Sequence, residues 1–361
     1  MKKTIAITSA LAAASSLATA EIKINEFLSF AGFVDASYSH TDLESDGDKG
    51  TGNSFQVDEV EIDWMFNFGS VTAQIDLQHE YGSSNNTTVE QAFVSYDRGN
   101  GISVTAGRFE SSLGLEAKEP TGLYQVSKAY DVGSDDNDDT DLGLGSLNIL
   151  PQYNQGVKLT KVSGDNVYSI ALLDEFTGDD SDGLGGDNGG ANSNYGVEAS
   201  ASIALGNGMT WLIGGAYEDG DNDETDAYVL NTHLTVQSDA LTYGVEVSYG
   251  EDEGGFASGL GRTGSLDEEV LQALIMANYA YSDCCSVTGR ISYSDHDATS
   301  ILDTDSEDTP SEADFLKYTL AHNYAVTDNL ALITEVSYVD GEIEGTDYEA
   351  LVGAVEVLFT F

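Results

Sequence analysis

The sequence is poor in positive charge. It carries 13 Lys plus Arg against 63 Asp plus Glu, a formal net charge of −50 over 361 residues. Nucleic acid and anionic membrane surfaces repel such a chain, so neither is expected as a partner. Cysteine is nearly absent. Two residues, Cys284 and Cys285, exclude a disulfide scaffold and a four-cysteine metal site, and being adjacent they cannot staple distant strands. Proline is rare, 3 residues against 39 Gly, so strands can run unbroken between flexible turns. Beyond the N-terminus no run of about 20 apolar residues occurs, which rules out ordinary transmembrane helices. His-Glu-x-x-His, G-x-S-x-G and a Gly-rich phosphate loop are all missing, so an enzyme is not expected. Asp295-His296-Asp297, at the rim of a strand, is the one hydrolase-like feature and reads as a loop entry with a titratable His.

What the chain does have is apolar and aromatic surface. With 40% hydrophobic residues, 19 Tyr and 13 Phe, it escapes the composition of a disordered acidic protein. Lys2 and Lys3 precede an apolar run from Ile5 to Leu17, then Ala18-Thr19-Ala20 and Glu21. That pattern predicts a secretory signal peptide over 1–20, leaving 21–361 as one exported β-domain.

Hydropathy in that domain has a period of two. Val60, Ile62, Trp64, Phe66 and Phe68 alternate with polar neighbours. So do Val71, Ala73, Ile75 and Leu77, and again Leu241, Tyr243, Val245, Val247 and Tyr249. One apolar and one polar face per strand is the signature of a pleated sheet. Short turns are predicted at Phe68–Ser70, Asp97–Gly101, Ser163–Asn166, Gly206–Gly208, Ser238–Ala240, Ser282–Cys285 and Thr327–Asn329. Long acidic connections are predicted at 41–54, 82–87, 110–152, 177–193, 218–225, 251–267, 295–312 and 341–347. Strict alternation of the two kinds makes about 16 strands; 18 would result if Tyr124, Val126, Lys128 and Tyr130 formed an extra hairpin.

Aromatic residues fall near strand ends. Tyr38, Tyr81, Tyr96, Tyr217, Tyr249, Tyr293 and Tyr338 are assigned to the long-loop side. Phe68, Tyr168, Trp211, Tyr279, Tyr281, Tyr324 and Phe359 are assigned to the short-turn side. Two aromatic girdles around an apolar band mark a transmembrane antiparallel up-and-down β-barrel, with short periplasmic turns and long acidic extracellular loops. Closure is required because an open sheet edge cannot be satisfied in lipid.

Phe30-Ala31-Gly32-Phe33-Val34-Asp35-Ala36-Ser37-Tyr38 is similar to the opening strand of porins. Val104–Glu116 resembles a strand and loop start of the OmpL-like β-barrel porin family, and Gly156-Val157-Lys158-Leu159 matches a later strand of that group. General Gram-negative porins are a close second. Either resemblance implies a bacterial outer-membrane pore for small hydrophilic solutes, in contact with outer-membrane lipid and lipopolysaccharide, and further copies in a homotrimer are a candidate assembly. The alternating last strand ending on Phe359 and Phe361 looks like the signal read by the barrel assembly machinery. In the porins it resembles, the third long loop folds inward. Here that would place Glu116, Lys118, Glu119 and Lys128 near the constriction, with Lys118 and Lys128 pairing Glu61 or Asp76. The 43 residues of 110–152, including Leu113, Leu115, Tyr124, Tyr130, Leu147 and Leu150, suit a covered position, since so many apolar groups would not stay in water.

By strand parity the lumen receives Asp35, Glu59, Glu61, Asp63, Asp76, Glu80, Glu198, Glu246, Glu335 and Glu356, against Lys158, Arg290 and Lys317. Confined carboxylates concentrate cations, so a cation-preferring pore is expected. A structural or adhesive barrel with a blocked lumen is the alternative. No cofactor is expected. Loop-bound Ca2+ is the nearest candidate: Asp42, Asp46, Asp180 and Asp182 fit part of an EF-hand pattern, but Asn53 stands where its closing Glu belongs.

Overall fold

The structure, a computed structural model, describes residues 21–45, 47–80, 87–133, 145–174, 195–219, 226–253, 266–300 and 309–361. The expected signal peptide, together with Asp46, Tyr81, Asp180 and Asp182, lies outside the described residues. The strands in chain order are β1 (Ile22–Lys23), β2 (Leu28–Ser45), β3 (Asp48–Asn67), β4 (Val71–Glu80), β5 (Thr88–Gly99), β6 (Ile102–Glu110), β7 (Tyr153–Ser163), β8 (Asn166–Leu173) and β9 (Tyr195–Gly206). They continue as β10 (Met209–Asp219), β11 (Ala227–Ser238), β12 (Leu241–Asp252), β13 (Leu266–Ser282), β14 (Cys285–Ser300), β15 (Thr309–Thr327), β16 (Leu330–Ile343) and β17 (Thr346–Thr360).

From β2 to β17 each strand pairs antiparallel with the next, and β17 pairs back onto β2. This is a closed 16-stranded up-and-down barrel; the two-residue β1 adds a short ladder on β2. All seven predicted tight turns are present. At Asn100–Gly101 and Asn207–Gly208 both residues have positive φ, as a hairpin turn matching the strand twist requires. Cys284 and Cys285 sit at the β13–β14 turn as free thiols.

Outward side chains form the apolar belt. Val245, Val247, Ile275, Leu320, Val336 and Val357 are exposed, as are Phe68, Tyr168, Trp211, Tyr279, Tyr281, Tyr324 and Phe359 at the short-turn end. An apolar exterior of this extent is stable only against lipid. Tyr96 is a correction: it pairs with Val71 and Val104, at the short-turn end.

Three predicted long connections are also corrected. β2 and β3 run through residues 41–54, with Thr51 donating to Asp42 (2.9 Å) and Lys49 bridging to Glu44. Asp42 is thus a strand residue, not the start of an ion-binding loop. Residues 341–347 reduce to a tight turn at Glu344–Gly345, and β14 and β15 extend to leave only 301–308 between them. Polar sequence there was read as loop, but a polar strand in water pairs as well as an apolar one. The alternative extra hairpin is absent: residues 124–130 belong to no strand and lie inside the barrel.

Closure rests on a dry seam. Gly32 and Phe361 exchange two backbone hydrogen bonds of 2.9 Å, and the Phe361 ring packs edge-on to Phe30 with centroids 6.2 Å apart. A Cβ on Gly32 would lie 2.2 Å from the Glu61 carbonyl oxygen and 2.9 Å from the Phe361 ring. Deleting Phe361 removes both hydrogen bonds, each about 1 kcal/mol, and the ring contacts, each about 1 kcal/mol. The fraction migrating as heat-modifiable folded barrel should fall, and Gly32→Val should reproduce the defect. An unchanged folded fraction in both variants would show that the seam does not limit closure.

Candidate functional site

Asp35, Glu59, Glu61, Asp63 and Asp76 share the inner face of β2–β4, with Asp35 opposite Glu59 and Asp63 opposite Asp76. Two bulges alter the parity of this wall. Asp58 is the extra residue where β3 slips against β2, so Asp58 and Glu59 both face inward, and Ser37 Oγ donates to Asp58 (3.1 Å). Glu90 is the extra residue where β5 slips against β4. Glu90 and Gln91 both turn inward, Gln91 donating to Asp76 (2.8 Å). A bulge places two consecutive side chains on one face, which strict alternation cannot foresee.

The long connection between β6 and β7 enters the barrel. Glu198 on β9 anchors its start, accepting from Ser111 Oγ (2.6 Å), Ser112 N (3.0 Å) and, on β7, Asn154 Nδ2 (2.7 Å). Leu113 and Leu115 then sit where Gly214 and Gly244 leave room: a Cβ on those glycines would come within 2.7 and 2.8 Å of the leucine methyls. Leu115, Tyr124, Ala129, Tyr130, Val132 and Leu147 bury against Leu274, Met276, Phe315, Val339, Tyr348 and Ala350 of the far wall.

Charge fixes the rest of the loop. Arg290 on β14 pairs with Glu116 and donates to the carbonyls of Ser127 (2.8 Å) and Lys128 (3.0 Å). Lys317 on β15 donates to Ser127 Oγ (2.8 Å), Lys128 O (3.0 Å) and Asp131 O (2.8 Å). Glu335 on β16 accepts from Val126 N (2.8 Å) and Ser127 Oγ (2.6 Å). Burial opposes ionisation of Asp131, but Lys317 and Lys128 outweigh it and hold that carboxyl below its ordinary range.

The expected pore-lining residues therefore divide. Glu198, Glu246, Lys158, Arg290 and Lys317 do face inward, but loop segments or neighbouring side chains cover them. Lys158 donates to the Glu110 carbonyl (2.9 Å) and lies 4.2 Å from the Phe109 ring centroid. Neither loop lysine pairs as expected: Lys118 donates to Leu113 O (3.0 Å) and Lys128 to Gln152 Oε1 (3.4 Å). Glu119 instead turns to the acidic wall, within 4.8 Å of Glu59, Glu61 and Glu90, and accepts a hydrogen bond from Tyr153. Of Asp295, His296 and Asp297, only His296 is buried. It bridges Ser294 Oγ (2.7 Å) and Glu268 Oε1 (2.9 Å) in a buried polar ladder.

What the loop leaves open is a cavity of about 510 Å³ against β2, β3, β16 and β17. Its carboxylates are Asp35, Asp58, Asp131, Glu335 and Glu356, and no Lys or Arg lines it among the described residues.

Residues 143–361, more than half of the chain, match the family model described as "Putative beta-barrel porin-2, OmpL-like". The chain belongs to this family. No curated protein sequence matches this OmpL-like barrel. Solved outer-membrane channels share its fold at low identity. The channel DcaP of Acinetobacter baumannii has a TM-score of 0.64 at 12% identity, covering 92% of this chain and 97% of that one. The anion-selective porin of Comamonas acidovorans has a TM-score of 0.57 at 12% identity, covering 92% and 99%. OmpT of Vibrio cholerae in its trimer form has a TM-score of 0.54 at 14% identity, covering 92% and 99%. Fold and family place this barrel in the outer membrane.

The wall onto which the loop folds had a sequence signal that parity alone passed over. β13 carries Val270, Leu274 and Met276 on its inner face, and β15 carries Phe315. Apolar residues on both faces of a barrel strand mean that something covers the inside. The extra carboxylates Asp58 and Glu90 had no comparable signal.

Arg290→Met strips Glu116 of its basic partner, leaving it Gln125 Nε2 (2.7 Å) and Ala129 N (2.8 Å), and breaking a buried pair costs about 3 kcal/mol. The barrel should still fold, while trypsin cleaves after Lys118 or Lys128, sites protected in the parent. Equal protection in both proteins would mean the apolar contacts alone hold the loop.

Proposed function

We propose that this porin-family barrel conducts small hydrophilic solutes across the outer membrane by passive diffusion, with a preference for cations. One observation carries the reading: the inward loop consumes Arg290 and Lys317 as clamps, and the cavity that remains is lined by five carboxylates and, among the described residues, by no base. Carboxylates confined between low-dielectric walls hold a negative potential and enrich cations. The Comamonas relative is named anion-selective, so the shared fold leaves selectivity to such wall residues. The long connections and the Glu344–Gly345 turn then face outward from the cell, the seven predicted tight turns face the periplasm, and three copies form the assembly, as in the OmpT trimer form. The loop sets the size limit, because its described residues occupy the lumen beside the far wall.

That same packing favours a second reading, a structural barrel whose loop blocks the lumen. Conductance of the purified protein in a planar bilayer separates the two. Asp35→Asn, Asp58→Asn and Glu356→Gln together should lower the cation preference in a KCl gradient near 0.01 M. The effect should shrink near 1 M, where the Debye length falls from about 30 Å to about 3 Å. Identical reversal potentials at low salt would remove these residues from the pathway. Replacing residues 117–148 by a short Gly-Ser bridge should raise single-channel conductance and admit larger neutral sugars. No current in the parent, with current in this variant, would establish the blocked barrel.

A further inference from the structure

Four glutamates converge in the lumen away from the cavity described above. Glu59 and Glu61 lie on β3, Glu90 occupies the β5 bulge, and Glu119 comes from the inward loop. One carboxylate oxygen from each lies within 4.8 Å of all the others. Oxygens gathered this closely suit a shared ion whose ligands lie at about 2.4 Å. Two of the four are buried, Glu61 at 3% and Glu90 at 7% exposed, and Glu59 and Glu119 are half-buried.

The hydrogen-bond inventory points to a missing ligand. Glu61 Oε2 and Glu90 Oε2 are buried and accept no hydrogen bond, although both lie in a barrel rich in donors. The donors nearby leave these two oxygens unserved. Arg108 gives its Nε–H to the backbone carbonyl of Glu90 (2.9 Å), Gln78 donates to Glu59 Oε1 (3.1 Å), and the Tyr153 hydroxyl donates to Glu119. Four carboxylates at this spacing repel one another when ionised, and the two orphaned oxygens on Glu61 and Glu90 add the cost of burial without a partner. A cation at the centre supplies both the counter-charge and the partner for the orphaned oxygens. The donor set holds oxygen only, without His or Cys, which selects a hard cation over zinc or copper. A single positive charge would leave most of the cluster uncompensated.

We propose that Glu59, Glu61, Glu90 and Glu119 form a luminal site for a divalent cation of the calcium class. The ion ties the inward loop to the acidic wall at Glu119. The apolar and basic contacts of the loop lie mostly toward β9–β17, so Glu119 is where a cation would fasten it to β3 and β5. The bulge at Glu90 gains a purpose, since without the extra residue the strand would present Gln91 alone.

The test uses the folded, detergent-solubilised protein and Ca2+ alone, titrated calorimetrically after chelator treatment. The parent should bind one ion more tightly than its surface acids do. Glu119→Gln, a loop change that leaves every strand intact, should weaken that site on the order of tenfold, and Glu90→Gln should do the same. Asp42→Asn, on the exposed β2–β3 hairpin, should change nothing. In the Arg290→Met background, where Lys118 is open to trypsin, Ca2+ should also slow cleavage after Lys118, and adding Glu119→Gln should abolish that slowing. Absence of a distinct tight site in the parent, or equal affinity in the parent and both glutamate variants, would overturn the proposal. Reversal potentials in KCl with divalent ions chelated report the cation preference separately, so the two readings can fail independently.

Discussion

Inside a bilayer no water is available to any backbone N–H or C=O, and the rest of this structure follows from that. Each strand must be paired on both edges, so the sixteenth must return to the first. The return is made where Gly32 meets Phe361, with no side chain at position 32 to hold the two apart. Once the sheet is closed, every strand has a lipid face and a luminal face, and the period-two pattern of the sequence has one physical solution. The exposed Val, Leu and Ile of the outer surface are the cost of solvation by lipid rather than a defect of packing.

Closure then creates an interior that has to be either wetted or filled, and the two halves of the wall differ. The inner faces of β13 and β15 carry Val270, Leu274, Met276 and Phe315, which favour a dry neighbour. The loop supplies that neighbour and brings polar backbone with it. Arg290, Lys317 and Glu335 satisfy this backbone, so buried charge here satisfies loop carbonyls and amides that would otherwise be orphaned. Because Arg290 and Lys317 are spent on this side, the remaining cavity keeps five carboxylates and, among the described residues, no Lys or Arg. The asymmetry of the lumen is thus a result of loop docking as much as of composition.

The tight turns were legible residue by residue, because positive-φ Gly and Asn leave a local mark that needs no distant partner, as at Asn207–Gly208. Strand ends outside the membrane were less legible. Lys49 opposite Glu44 and Thr51 opposite Asp42 form a regular ladder from residues that read as loop, since polarity reports water and not conformation. In the site, inward orientation was legible for Asp35, Glu61, Asp76 and Arg290, but what each faces was not. Glu198 and Arg290 were expected to line water and instead hold the loop.

The sequence by itself determined a closed, lipid-embedded β-barrel, its tight turns and an acidic wall, because alternation and turn chemistry act within a few residues. The tertiary structure alone decided which carboxylates stand in open water, which clamp a loop, and which four gather at Glu61. Those outcomes depend on bulges at Asp58 and Glu90 and on the path of a loop across the lumen. A one-residue slip reverses the face of every residue beyond it and leaves no local trace. The hydrogen bonds of this loop to the wall reach as far as 216 positions along the chain, marked only by the apolar inner faces of β13 and β15.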